Sequence, residues 1–176
     1  TNIFVYSTTR ATNAIIERRT AKTAFLTTSG FPDILVRREG GRANAFDYKS
    51  AFPKPYIPRD LTFEVSERID ADGGVVQTLD EKKLSRIIDQ LSQLNVQAVA
   101  VCLLWSVVNP LHELRIGERL TAELPNVLFT LSHQLWPSLR EYRRASATAI
   151  DASLKPLMTE HLRLIQEDLL LRGFTG

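Results

Sequence analysis

Residues 6–13, Tyr6-Ser7-Thr8-Thr9-Arg10-Ala11-Thr12-Asn13, gather four aliphatic hydroxyls, a guanidinium and a carboxamide within one short stretch. They follow Asn2-Ile3-Phe4-Val5-Tyr6, which has the composition of a strand, and they open a helix expected over residues 12–19. At such a junction the first backbone N–H groups are unpaired and the helix dipole is positive, so the place can hold a phosphate or another oxyanion. Thr8, Thr9, Arg10, Thr12 and Asn13 are the candidate binding residues. The stretch contains no glycine, so an anion would be met by side chains and not by bare backbone. On the residues alone, a local role has the stronger claim: Thr9 or Thr12 caps the helix and Asn13 makes a turn bond.

A second cluster is Leu139-Arg140-Glu141-Tyr142-Arg143-Arg144, with three arginines at the start of a helix. Its guanidinium forks suit a carboxylate or phosphate, and Tyr142 suits a buried interface, so Arg140, Glu141, Tyr142 and Arg144 form a candidate anion clamp or contact surface. The same residues also serve as a solvated face with local ion pairs of small worth. Arg37, Arg38 and Arg42 carry the same ambiguity in a Gly-rich setting.

Other reactive types are dispersed. His112, His133 and His161 are too far apart for a local metal motif, and no metal site is expected. His112 and Glu113 read as decoration of a first helical turn, and His161 as a core or rim residue of the last helix. Cys102 lies in an apolar run with nothing basic beside it and reads as core, not nucleophile. No nucleophile elbow, P-loop or dinucleotide fingerprint occurs. The catalytic residues are not identified by these patterns.

The elements that would position these groups follow from periodicity. Residues 3–7 and 24–27 read as strands, and residues 37–60, with Pro53, Pro55 and Pro58, as a long Pro/Gly-rich excursion. Leu61-Thr62-Phe63-Glu64-Val65-Ser66 alternates as a half-buried strand, and Asp70-Ala71-Asp72-Gly73-Gly74 turns into a hairpin. Thr78 and Glu81 have capping-box spacing ahead of a helix carrying Leu84, Ile87, Ile88, Leu91 and Leu94. Residues 96–104 read as a buried strand, and Asn109 caps a helix with Pro110 at its first position. Residues 127–131 are a strand, and a helix from about Leu139 presents Leu154, Leu157, Met158, Ile165 and Leu169 on one face, interrupted or kinked by Pro156.

This order predicts an α/β fold with a mixed-sheet layer architecture. Three parts are expected: residues 1–36 as a fragment of an N-terminal lobe, the 37–60 excursion, and residues 61–176 as an α/β subdomain ending in a long helix.

Composition narrows the classes. The chain of 176 residues is 44% hydrophobic and 24% charged, which excludes a disordered tail or a fibrous repeat. A formal charge of +2 is too balanced for a general nucleic-acid or anionic-membrane binder. One cysteine builds no disulfide framework, so a cytoplasmic home is expected, without signal peptide or membrane span. The opening inside an apolar run and the close at a glycine-capped helix end read as the edges of a slice of a longer polypeptide.

Several stretches in order resemble the hydantoinase A family: residues 7–18, residues 27–35, Val99-Ala100-Val101-Cys102-Leu103-Leu104, Asn109-Pro110-Leu111-His112-Glu113 and Arg140-Glu141-Tyr142-Arg143-Arg144. That family includes the ATP-using component of N-methylhydantoinase, 5-oxoprolinase and the related subunits of acetone and acetophenone carboxylases. The resemblance implies part of an actin-like, ribonuclease-H-type ATPase. Such subunits phosphorylate an amide, enolate or bicarbonate oxygen, and a hydantoinase-B-like partner completes the reaction. ATP with Mg²⁺ or Mn²⁺ would then act in the full-length parent, with neither bound by this segment alone, and the substrate would be a small molecule. The segment with Phe46-Asp47-Tyr48 and Pro53 to Arg59 is more similar to the carboxylase branch, which implies ATP-dependent carboxylation of a ketone such as acetophenone or acetone. Amide hydrolysis, or a non-catalytic docking module using residues 37–60 and the Arg140 cluster, are the alternatives. The family's first phosphate loop, Asp-x-Gly-Gly-Thr-x-Thr-Asp, lies upstream of the hydroxyl-rich turn in relatives and does not occur in this sequence. Where relatives often carry His-Gly this chain has Tyr6-Ser7, and it has Ala145, Ala147 and Asp151 where they favour Thr, Thr and Asn.

Overall fold

The structure, a computed structural model, describes residues 3–40, 46, 47, 49 and 51–174. Its centre is a four-stranded sheet in the order β2-β1-β5-β6, built from β1 (Thr23–Thr28), β2 (Thr62–Val65), β5 (Ala98–Cys102) and β6 (Leu128–Leu131). All three pairings are parallel, so this sheet is not mixed as expected from sequence. The antiparallel component is a separate hairpin, β3 (Arg68–Ile69) with β4 (Val75–Gln77), around the predicted Asp70–Gly74 turn.

A sheet buried on both faces needs apolar residues pointing both ways, and β1 and β5 supply them. Ala24, Leu26, Val99 and Val101 face one core with α3 (Glu81–Gln93) and α4 (Leu111–Glu123). Phe25, Ala98, Ala100 and Cys102 face the other, with Ala145, Ala149 and Ala152 of α6 (Glu141–Leu171). Small residues stand opposite small residues here, which lets the α6 backbone lie close on β5. The bulky residues expected to form the buried stripe of this helix, Leu154, Leu157, Met158, Ile165 and Leu169, are only half-buried. The helix also runs unbroken through Pro156. It ends at Gly173, φ +81°, where Gly173 N–H bonds Leu170 O and Phe174 N–H bonds Leu169 O, the paired hydrogen bonds of a Schellman close.

Several boundaries shift from the sequence reading. Residues 3–8 form no strand, because no described strand lies beside them to accept their backbone groups. Helix α1 spans Arg10–Ile16, not 12–19. Asp80, not Thr78, caps α3, its carboxylate accepting from Lys83 N–H at 3.0 Å. Pro110 takes the cap position of α4, yet Asn109 Oδ1 still accepts from Leu111 N–H at 3.1 Å. The N-terminal 36 residues supply β1, which lies between β2 and β5 in the one sheet. The described part of the 37–60 excursion folds back: Ile57 is buried beside Phe25, and Tyr56 Oη hydrogen-bonds Ser153 Oγ at 2.8 Å. Arg42 and Tyr48 lie outside the described residues. The described residues also include two short helices, α2 (Ile34–Arg37) and α5 (Ser132–Leu135), and a 3₁₀ turn at Arg59–Leu61.

Candidate functional site

The hydroxyl-rich turn opens onto a cavity of about 420 Å³, lined by Thr8, Thr9, Arg10 and Asn13 with Tyr6 and His161 from opposite ends of the chain. Thr8 is spent locally, its hydroxyl accepting Arg10 N–H at 3.1 Å. Thr9 occupies the cap position of α1 but its hydroxyl makes no capping bond. The Arg10 guanidinium forms no ion pair among the described residues. Thr9, Arg10 and Asn13 thus turn uncommitted donors toward one space. Thr12 is exposed and does not line it. The far wall is His161, whose Nε2 lies 2.7 Å from Tyr6 Oη and ties the entering chain to α6. Sequence reasoning read His161 as a core or rim residue and missed this link, since the two residues are distant in sequence. Glu17 and Arg19, which also line the cavity, pair with each other.

These groups fit an anionic or carbonyl oxygen: hydroxyl, carboxamide and guanidinium all donate. They do not fit a metal, because no three His, Cys, Asp or Glu side chains cluster among the described residues. A Cβ at every position of the turn keeps a phosphate off the backbone, so the contact would run through side chains.

A second polar assembly lies beneath the carboxyl ends of the strands. Thr28 Oγ1, at the end of β1, donates to Glu67 and accepts Leu104 N–H at 3.0 Å. Glu67 Oε2 lies 2.7 Å from His112 Nδ1. Beside them Glu113 is wholly buried and collects Leu103 N–H, Ser132 Oγ–H, His133 N–H and His133 Nδ1. Burial pushes its carboxyl upward, but the hydrogen bonds from His133, Ser132 and the two backbone N–H groups outweigh that and hold it below the ordinary range. At Cys102 desolvation wins: it pushes the thiol up to about 11, against the lowering pull of Arg144 and Ser132. The thiol is inert core, as the sequence suggests.

The expected anion clamp divides in two. Arg144 is fully buried, and its guanidinium donates to Ser132 Oγ at 3.1 Å, Ser138 O at 2.5 Å and Leu103 O at 2.8 Å. With its Nε and both Nη atoms engaged by the protein, it fixes the loops after β5 and β6 and is not free to hold a ligand. Arg140 remains exposed, 3.8 Å from Glu39, and Glu141 and Tyr142 are half-buried at the start of α6. His112 and Glu113, read as surface decoration, are interior instead. Their spacing from the preceding Pro110 gave no sign of this.

Residues 2–124 match the family described as hydantoinase/oxoprolinase N-terminal region. The chain belongs to the hydantoinase/oxoprolinase family. Within it, the chain is 36% identical to the alpha subunit of the Pseudomonas jessenii caprolactamase, over 93% of its length and 24% of that relative. It is 32% identical to the acetophenone carboxylase gamma subunit of Aromatoleum aromaticum, over 99% of this chain and 26% of the relative. The crystal structure of the ATP-dependent caprolactamase from Pseudomonas jessenii superposes with a TM-score of 0.85 at 35% identity, over 97% of this chain and 25% of that one. The chain thus spans about a quarter of these two relatives and 14% of the 5-oxoprolinase of Arabidopsis thaliana. Among the described residues no helix is long and apolar enough to cross a membrane.

Proposed function

We propose that this chain is part of an ATP-dependent enzyme that activates a cyclic amide for ring opening, with the hydroxyl-rich turn contributing to its nucleotide or substrate pocket. The likeness to the ATP-dependent caprolactamase over nearly the whole chain carries the reading. The parent fold in this reading is the actin-like, ribonuclease-H-type ATPase, working in the cytoplasm with a hydantoinase-B-like partner. ATP supplies the phosphoryl group that makes an unreactive amide oxygen a leaving group. Arg10 neutralises charge on the phosphate or substrate oxygen, while Thr9 and Asn13 hydrogen-bond it. Thr8 holds the turn in shape. The Mg²⁺ or Mn²⁺ that accompanies ATP would be held by residues outside this segment, which offers no metal cluster among its described residues.

A second reading is ATP-dependent carboxylation of a ketone, favoured by 32% identity to the acetophenone carboxylase gamma subunit over 99% of the chain. The two are separated by assaying the gene-encoded polypeptide together with its partner. ADP release driven by caprolactam, 5-oxoproline or hydantoin supports the first, and labelled bicarbonate fixed into acetophenone or acetone supports the second. In either assay Thr9→Ala and Arg10→Met are expected to lower turnover more than ~10-fold. Unchanged rates in both variants would leave the turn without a part in turnover.

A further inference from the structure

The parallel sheet reverses its winding between β1 and β5: the chain leaves β1 for β2 on one side, then returns through α3 to β5 on the other. In open α/β sheets the crevice beyond the carboxyl ends of two such strands is where ligands bind. Here that crevice is a cleft of about 520 Å³, a size suited to a small organic molecule. One wall is apolar, with Phe31, Ile34, Leu104 and Trp105. Trp105 is held there by a left-handed backbone, φ +56°, and by Val108 and Asn109 N–H groups on its carbonyl. The other wall carries Arg38, Arg68 and Arg140.

Arg140 lies 3.8 Å from Glu39, but Arg38 and Arg68 have no carboxylate partner among the described residues. Arg68 is half-buried, and its one described contact is the Phe31 ring, 5.4 Å from the guanidinium carbon. Among the described residues Arg38 reaches only Lys54 O, at 3.5 Å. Of the two carboxylates lining the cleft, Glu39 is already held by Arg143 through two hydrogen bonds of 2.9 and 3.1 Å. A partly desolvated guanidinium without a counter-ion is costly, and an entering anion removes that cost. Inorganic phosphate would leave the aromatic wall unused. A carboxylate on an apolar body uses both walls, its head on Arg68 and its body against Phe31, Leu104 and Trp105.

We propose that this cleft binds an organic monocarboxylate with an apolar body, at a place separate from the hydroxyl-rich turn. The test is calorimetric titration of the gene-encoded polypeptide, without ATP, using benzoate and hexanoate against benzamide, hexanamide and inorganic phosphate. Saturable carboxylate binding with Kd of about 1 mM or tighter is expected, with the amides and phosphate at least ~10-fold weaker. Arg68→Met is expected to weaken carboxylate binding at least ~10-fold and Arg68→Lys to retain part of it, whereas Arg10→Met leaves it unchanged. If Arg68→Met fails to fold, as read by circular dichroism, Arg38→Met is the second variant, with the same loss expected. Absence of carboxylate binding, equal binding by the arginine variants, loss in Arg10→Met alone, or phosphate binding as tight as benzoate would each overturn the proposal. Because no nucleotide is present, these outcomes are independent of whether the parent opens lactams or carboxylates ketones.

Discussion

Glu113 accepts hydrogen bonds from Leu103, Ser132 and His133, residues that follow two different strands. Arg144 reaches the same loops from α6 through Ser132 and Leu103. Glu113→Gln replaces an acceptor by a donor facing filled donors, and a loss of about 3 kcal/mol is expected in chemical denaturation. Its depressed pKa gives a pH signature. The unfolded carboxyl takes up a proton more readily, so the stabilisation is full above the ordinary carboxylate range and fades as pH falls through the folded value. The stability gap between wild type and Glu113→Gln should therefore narrow from about pH 7 to about pH 3, as measured by denaturation midpoints. Arg144→Lys keeps charge but loses the planar fork, and is expected to cost about 2–4 kcal/mol. Neither residue announced its burial. A helix start written Arg-Glu-Tyr-Arg-Arg offers polar groups on every side, and only the small residues at Ala145, Ala149 and Ala152 mark which side meets the sheet.

The helices and strands were more legible than their neighbours. The stripe of α3 and the continuous apolar run of β5 lie where periodicity puts them, because each is long enough for a repeat to outweigh end effects. Caps moved by a residue or two, since Thr78 and Asp80 are both competent acceptors and only backbone geometry chooses between them. Asp80→Ala is expected to cost about 1 kcal/mol in thermal denaturation. The strand read over residues 3–7 failed for a different reason: strand composition is not sufficient without a neighbouring ladder. Pro156 was read as a kink or an interruption; α6 continues through it, with the N–H bond to Ala152 O forgone. Pro156→Ala should restore that bond and raise stability by about 1–3 kcal/mol, visible as a higher melting temperature. In the candidate site, Thr8, Thr9, Arg10 and Asn13 were recoverable because they are contiguous. Arg68, Trp105 and His161 were not, because topology and not spacing brings them to their cavities.

At the scale of the molecule, one thiol reports on the whole fold. Cys102 sits at the end of β5, buried between sheet and α6, with its pKa pushed up to about 11 by desolvation. Alkylation by iodoacetamide near neutral pH is expected to proceed only through global opening, so its rate should track denaturant stability across variants. Fast alkylation of the native protein would show that α6 detaches locally. The position of β1 bears on how the chain is made. Both strands that flank it in the sheet are encoded after it, and β5 far later than β2. Until Cys102 has been translated, Phe25 and Leu26 have no finished layers to enter. Nascent chains arrested before that codon should aggregate or recruit a chaperone more than those arrested after α6 has emerged.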